Sequence, residues 1–162
     1  MANYFHESVK IGSIVSIDIS TRGTNTYMGK GCVVDDFVKI KHVGGTEDIV
    51  IGEYCYINSG CVFYSGHGIN IGNNVLIGPN CNIVPSNHKF DEKDQIIRLQ
   101  GHMLSKGGVI IEDDVWLGAA VTVLDGAHIR KGCVIAANSV VIGETEEYSV
   151  YGGVPAKKIK DR

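Results

Sequence analysis

Apolar residues recur at every sixth position along almost the whole chain. The series runs Phe5, Ile11, Ile17; Met28, Val34, Ile40; Ile51, Ile57, Phe63; Ile71, Ile77, Ile83; Ile111, Leu117, Val123; and Ile129, Ile135, Val141. An amphipathic helix repeats at 3.6 residues and a half-buried strand at two, so neither explains a beat of six. A short fixed period marks stacked repeats, and hexapeptide repeats are the signature of a parallel β-helix. Within each six, the apolar residue and a small residue two positions before it share one strand face, because strand side chains alternate. Pairs such as Lys30-Gly31, Asn73-Asn74, Asp113-Asp114 and Lys131-Gly132 supply corner residues between strands. Three sixes close a triangle of 18 residues. The series therefore predicts an all-β fold of about six triangular coils stacked roughly 4.8 Å apart.

The interruptions are as regular as the beat. Ile17 to Met28 and Ile40 to Ile51 each span eleven residues, Phe63 to Ile71 eight, and Ile83 to Ile111 twenty-eight. Each insertion falls after the third side of one coil and before the first side of the next. All are expected to leave the prism along one edge. The largest, a long loop at 89–108, carries no repeat, and excursions of that length on a compact scaffold are usually functional.

Composition fits this picture. The 162 residues include 21 Gly and only 3 Pro, 44% are hydrophobic, and the net charge is −3. One domain, 1–162, is the default for this length. No basic stripe points to nucleic acid, and no apolar run reaches the ~18 residues of a membrane span. Met1 to Lys10 lacks the pattern of a signal peptide, so a cytoplasmic setting is expected. Cys32, Cys55, Cys61, Cys81 and Cys133 each follow an apolar repeat position by four. Elsewhere that slot holds Val15, Val38, Val75, Val121, Ala127 or Ser139. The cysteines are thus read as small inward-facing core residues. None has the C-x-x-C spacing of a zinc site, and no metal is expected.

Ile71-Gly72-Asn73-Asn74-Val75-Leu76-Ile77-Gly78-Pro79-Asn80, Val115-Trp116-Leu117-Gly118-Ala119 and Gly152-Gly153-Val154-Pro155-Ala156-Lys157 carry a resemblance. Over about residues 5–160 the chain resembles the hexapeptide-repeat acyltransferases, in particular the galactoside, maltose and capsular-polysaccharide O-acetyltransferases. The resemblance implies a left-handed parallel β-helix, contrary to the usual crossover hand, with a short C-terminal tail. It also implies a homotrimer with sites between subunits and acetyl-CoA as co-substrate. The repeat begins by Phe5, without the leading helical segment of the maltose enzymes, which favours the shorter enzymes of surface-polysaccharide pathways.

The same resemblance assigns the candidate residues. His88, after Ser86-Asn87 at the mouth of the long loop, matches the family's catalytic His. A sugar hydroxyl must lose its proton as it attacks a thioester, and imidazole suits that task near neutral pH. Asp91, Glu92 and Asp94 are candidates to orient it. Trp116, the only Trp, points outward from its strand and matches a residue lining the acetyl and acceptor site. Ala119 would give a main-chain N–H to the oxyanion, and Ala137, one coil on, would meet the pantetheine arm. Lys157 and Lys160 match residues that meet the phosphates of coenzyme A; they equally read as a solubilising tail. Asn58 stands where relatives carry Asn-x-Asn, but here the triplet is Asn58-Ser59-Gly60. It is a candidate for acceptor binding or for a turn. His67 fills a slot that normally holds a small residue, and marks either a local distortion or the acceptor pocket.

The expected activity is acetyl-CoA-dependent O-acetyl transfer to a sugar or surface-glycan hydroxyl. A sugar N-acetyltransferase on the same scaffold is the alternative. A γ-carbonic-anhydrase-like zinc enzyme, drawing on His67, His88 and His102, and a non-catalytic structural β-helix are the remaining readings.

Overall fold

The computed structural model describes residues 3–162. Its strands form three sheets of six, eight and six members, one per side of a triangular prism. The register matches the six-residue beat. Phe5 pairs with Met28, Met28 with Ile51, Ile51 with Ile71, and Ile71 with Ile111 on the first side. On the second, Ile57, Ile77, Leu117 and Ile135 stack in order. On the third, Phe63, Ile83, Val123 and Val141 do so. The fold is a left-handed parallel β-helix. Ile40, Ile57, Phe63, Ile77, Ile83, Leu117, Ile129 and Ile135 have no exposed surface, so the beat is the core.

Two-residue strands such as Leu76–Ile77 and Trp116–Leu117 alternate with corners. At the corner from first to second side, Asn74 and Asp114 adopt left-handed backbone, both at φ 57°. Asn and Asp tolerate that region better than other residues with a Cβ. All five cysteines are buried and unpaired as disulfides. Their position has a further chemical reason. The Sγ atoms of Cys32, Cys55, Cys61 and Cys81 lie 3.0–3.1 Å from the carbonyls of Gly52, Gly72, Gly78 and Gly118, and donate to them. The thiol is apolar enough for the core and still donates weakly to the neighbouring coil.

Every insertion leaves along the edge between the third and first sides, at 18–25, 42–48, 65–68 and 85–108. The last is not structureless. It holds one helical turn, Ile97–Gln100, and Gln100 Nε2 donates to the carbonyls of Glu92 and Gln95. The buried Asp125 carboxylate accepts from the Lys106 and Gly108 amides, at 2.9 and 3.0 Å, and so pins the end of the loop.

The C-terminal residues close the prism. Ser149–Gly152 adds a further strand to the second side, and Lys157–Asp161 returns antiparallel to it. The expected short tail is thus a hairpin, set in place by the Gly153 amide, which donates to the Ser139 hydroxyl at 3.1 Å. No helix among the described residues is long and apolar enough to cross a membrane.

One ion network ties the last coils together. Glu112 Oε1 accepts from His128 Nε2 at 2.8 Å and Arg130 Nη1 at 3.1 Å, and its Oε2 accepts from the Lys131 amide at 2.9 Å. Desolvation pushes the Glu112 carboxyl up, but the Lys131 N–H, His128 and Arg130 together outweigh it and hold the group below its ordinary range. A carboxylate depressed in the folded state stabilises fully above its unfolded pKa, and this contribution is lost as pH falls through the folded value. Glu112→Gln should therefore melt lower than wild type at pH 7, with the gap closing as pH drops below the carboxylate range. Melting temperatures from pH 7 down to 3 check this.

Candidate active site

The corner between second and third sides differs from the corner between first and second. At the latter, the outermost amides are capped by side chains of the next coil. The Glu53 amide donates to Asn73 Oδ1 at 2.8 Å, and the Asn73 amide to Asp113 Oδ1 at 2.6 Å. The equivalent residues at the other corner are Ser59, Pro79, Ala119 and Ala137, which have no carboxylate or carboxamide to offer. Among the described residues, the amides of Ala119 and Ala137 donate to no acceptor, and both residues are exposed. The Ala119 carbonyl, by contrast, accepts from the Asn138 amide at 2.9 Å.

Two glycines keep these amides approachable. A Cβ on Gly78 would sit 2.8 Å from Ala119 N, and one on Gly118 would sit 2.7 Å from Ala137 N. The column that in coil three holds Asn58 is thus glycine in coils four and five. The result is two free main-chain donors, one coil apart, on a narrow uncovered ridge. Open main-chain N–H groups fixed by a rigid scaffold suit a developing oxyanion and an amide-bearing chain.

Trp116 lies beside this ridge on the second side, 53% exposed, in register with Leu76 below and Val134 above. A shallow cleft of about 390 Å³ adjoins it, lined in part by Asn74, Leu76, Asp114 and Arg162. The Arg162 guanidinium donates to Asp114 Oδ2 and to the Gly132 carbonyl, each at 2.9 Å. Asn58 is half-buried, and its Nδ2 donates to the Ile77 carbonyl at 2.8 Å. One of its two N–H donors is spent on the wall, leaving the carboxamide oxygen and the second N–H. Lys157 and Lys160 are exposed on the closing strand. Neither joins an ion pair among the described residues, whereas Lys158 between them is held by Glu146 and Asp161.

His88 lies at the other edge, where the long loop departs, and is exposed. Its ring stacks on that of His102, with centroids 4.7 Å apart and planes at 29°. Among the described residues no carboxylate hydrogen-bonds it. Glu92 instead pairs with Lys89, and its amide donates to Gln100 Oε1. His67, one loop away on the same edge, is half-buried with its Nε2 buried and unpartnered. It borders a cleft of about 460 Å³ with Glu47, Asp48, Asn70 and Ser105. Among the described residues no three His, Cys, Asp or Glu side chains are grouped to hold a metal ion.

Within one chain the third side of the prism separates His88 and His67 from Ala119, Ala137 and Trp116. Two features escaped the sequence reading: the His102 stack, which depends on how the long loop doubles back, and the pair Gly78 and Gly118. The latter had a signal, since both glycines directly follow an inward-facing residue of the beat, Ile77 and Leu117, in the column that holds Asn58 one coil earlier.

Comparison with known proteins agrees with the fold. The family model "Bacterial transferase hexapeptide (six repeats)" matches residues 108–143. The Escherichia coli protein named "Putative lipopolysaccharide biosynthesis O-acetyl transferase WbbJ" is 35% identical over 85% of this chain and 69% of its own length. A galactoside O-acetyltransferase of Lactococcus lactis is 34% identical over 72% of this chain and 56% of its length. The chain spans only 31% to 61% of four other curated relatives. Among solved structures, a variant of AntD, an N-acyltransferase from Bacillus cereus in complex with dTDP-4-amino-4,6-dideoxyglucose and coenzyme A, superposes with a TM-score of 0.81. It is 22% identical and aligns over 99% of this chain and 83% of its own. By its repeat, its coil register and its likeness to WbbJ, this chain belongs to the hexapeptide-repeat acyltransferase family.

Proposed function

We propose that this chain, acting as one unit over 1–162, transfers an acetyl group from acetyl-CoA to a hydroxyl of a sugar or surface glycan. The observation that carries this reading is the uncapped ridge with the free Ala119 and Ala137 amides. Coenzyme A lies along it, the Ala137 amide meeting the pantetheine arm and Lys157 and Lys160 facing the phosphates. The thioester carbonyl points at the Ala119 amide beside Trp116. His88 removes the acceptor proton as the acceptor oxygen attacks the carbonyl carbon. The Ala119 N–H stabilises the tetrahedral oxyanion, the C–S bond breaks, and the proton passes from His88 to the departing thiolate. His67 and the Asn58 carboxamide contribute to the acceptor pocket.

These groups meet between copies, in a homotrimer. Two apolar surfaces support this. One is the second side around Leu76 and Trp116. The other is the long loop, where Phe90, Ile96, Ile97, Leu99 and Leu104 are 56–92% exposed. Packing the loop of one copy against the second side of the next brings His88 to the ridge. The acetyl-CoA pool places the reaction in the cytoplasm.

An amine acceptor is the second reading, favoured by AntD, an N-acyltransferase of the same fold. Thiol release from acetyl-CoA with glucose and with glucosamine, which differ only at C2, separates the two. O-transfer predicts release with both sugars. Release with glucosamine alone would favour the amine, and no release with any of a wider sugar panel would contradict acetyl transfer to sugars.

A further inference from the structure

We infer that His102 is the positioning residue of the proposed base, its ring backing the His88 imidazole where a carboxylate would otherwise orient it. The inference rests on the reading of His88 as base. The long loop returns to its own start as a short antiparallel bridge between His88 and His102. It is held by the Lys89 amide on the Gly101 carbonyl at 3.0 Å and the Met103 amide on the Asn87 carbonyl at 2.9 Å. This doubling back lays the two imidazoles face to face at 4.7 Å.

The His102 ring is itself supported. Gly44, in left-handed backbone at φ 75°, has no side chain, and a Cβ there would sit 3.7 Å from His102 Cε1 and 3.7 Å from Ser86 Cβ. The open position beside Gly44 is thus bordered by both the His102 ring and Ser86, two residues before His88. The other candidates do different work. Glu92 is taken by Lys89, and among the described residues neither Asp91 nor Asp94 hydrogen-bonds the His88 ring. An exposed imidazole on a free loop would sample several χ2 values. A flat neighbour removes most of them, and a base that must meet a proton within hydrogen-bond reach gains directly from that. The stack needs an aromatic face and no ring nitrogen, which separates it from a hydrogen-bonding or metal-binding role.

The test uses full-length wild type, His88→Ala, His102→Ala and His102→Phe, with acetyl-CoA and whichever panel sugar releases thiol fastest. His102→Ala is expected to lower kcat about 10- to 100-fold, with KM for acetyl-CoA and melting temperature near wild type. His102→Phe should recover most of kcat. By NMR, the His88 Hε1 resonance should lose a ring-current shift in His102→Ala and keep one in His102→Phe. Full turnover in His102→Ala with none in His88→Ala would overturn the inference while leaving the base assignment standing. So would a His102→Phe variant as slow as His102→Ala, or a His88 resonance that does not move in His102→Ala, whichever sugar is used. Full turnover in His88→Ala would overturn the base assignment and the inference with it.

Discussion

His88→Ala is expected to cut turnover by about 10²–10⁴ while acetyl-CoA still binds. A neutral hydroxyl is a poor nucleophile toward a thioester, and its proton must leave as the new bond forms. Glu92 is bound to Lys89 and His67 Nε2 is buried; His102 stacks on His88, and comparing His88→Ala with His102→Phe separates the two imidazoles. His88 is exposed at the root of the loop and is not part of the buried core, so its removal should leave the fold intact. Thiol release measures the loss, and calorimetric titration with coenzyme A shows whether binding survives. Full turnover in the variant would show that the acceptor is activated elsewhere.

Gly78→Ala is the second large effect. The added Cβ would lie 2.8 Å from each of three main-chain atoms, Ala119 N, Gly118 C and Leu117 O. No flexible side chain can yield there, so the corner of the fifth coil must move outward. Overpacking of this kind costs about 1–3 kcal/mol of stability. Displacing the donor that meets the oxyanion should cost a further ~10²–10³ in kcat. Ala119→Ser is the matching control. The donor is main chain, so changing the outward side chain should leave kcat within about threefold. If Gly78→Ala keeps wild-type kcat, the Ala119 amide is not the oxyanion donor. Stability and kcat are separable here, because a merely destabilised protein regains its turnover below its melting range and a displaced donor does not.

How much of this was legible in the residues follows from what each signal depends on. The coil register depends on burial, and burial has a period of six, so Ile57, Ile77, Leu117 and Ile135 could be aligned by counting. The edge that carries all insertions followed from the same count. The cysteines were readable as core because slot and residue size agreed. Their thiol contacts to glycine carbonyls were not, since those are set by how coils stack. The C-terminal hairpin was missed because Lys157 to Asp161 is polar apart from Ile159, and an exposed edge strand carries no apolar beat. At the site, the outward direction of Trp116 followed from strand alternation. The free amides of Ala119 and Ala137 did not, since a main-chain donor leaves no trace in its own side chain. Asn58 reads in the sequence as an acceptor contact or a turn residue; its Nδ2 bond to the Ile77 carbonyl, between residues 19 apart, could not be read there. The His102 stack was equally hidden, because it depends on the path of a loop without a repeat.

The claim that the site is shared between copies has a direct test in mixed assemblies. His88→Ala and Gly78→Ala chains, each inactive alone, are unfolded together, refolded at equal concentration and assayed for thiol release. If each site draws His88 from one copy and the ridge from its neighbour, random assembly makes about a quarter of the sites intact, and activity returns to roughly that fraction of wild type. If one chain supplies both, no mixed assembly contains an intact site, and activity stays at the level of the separate variants.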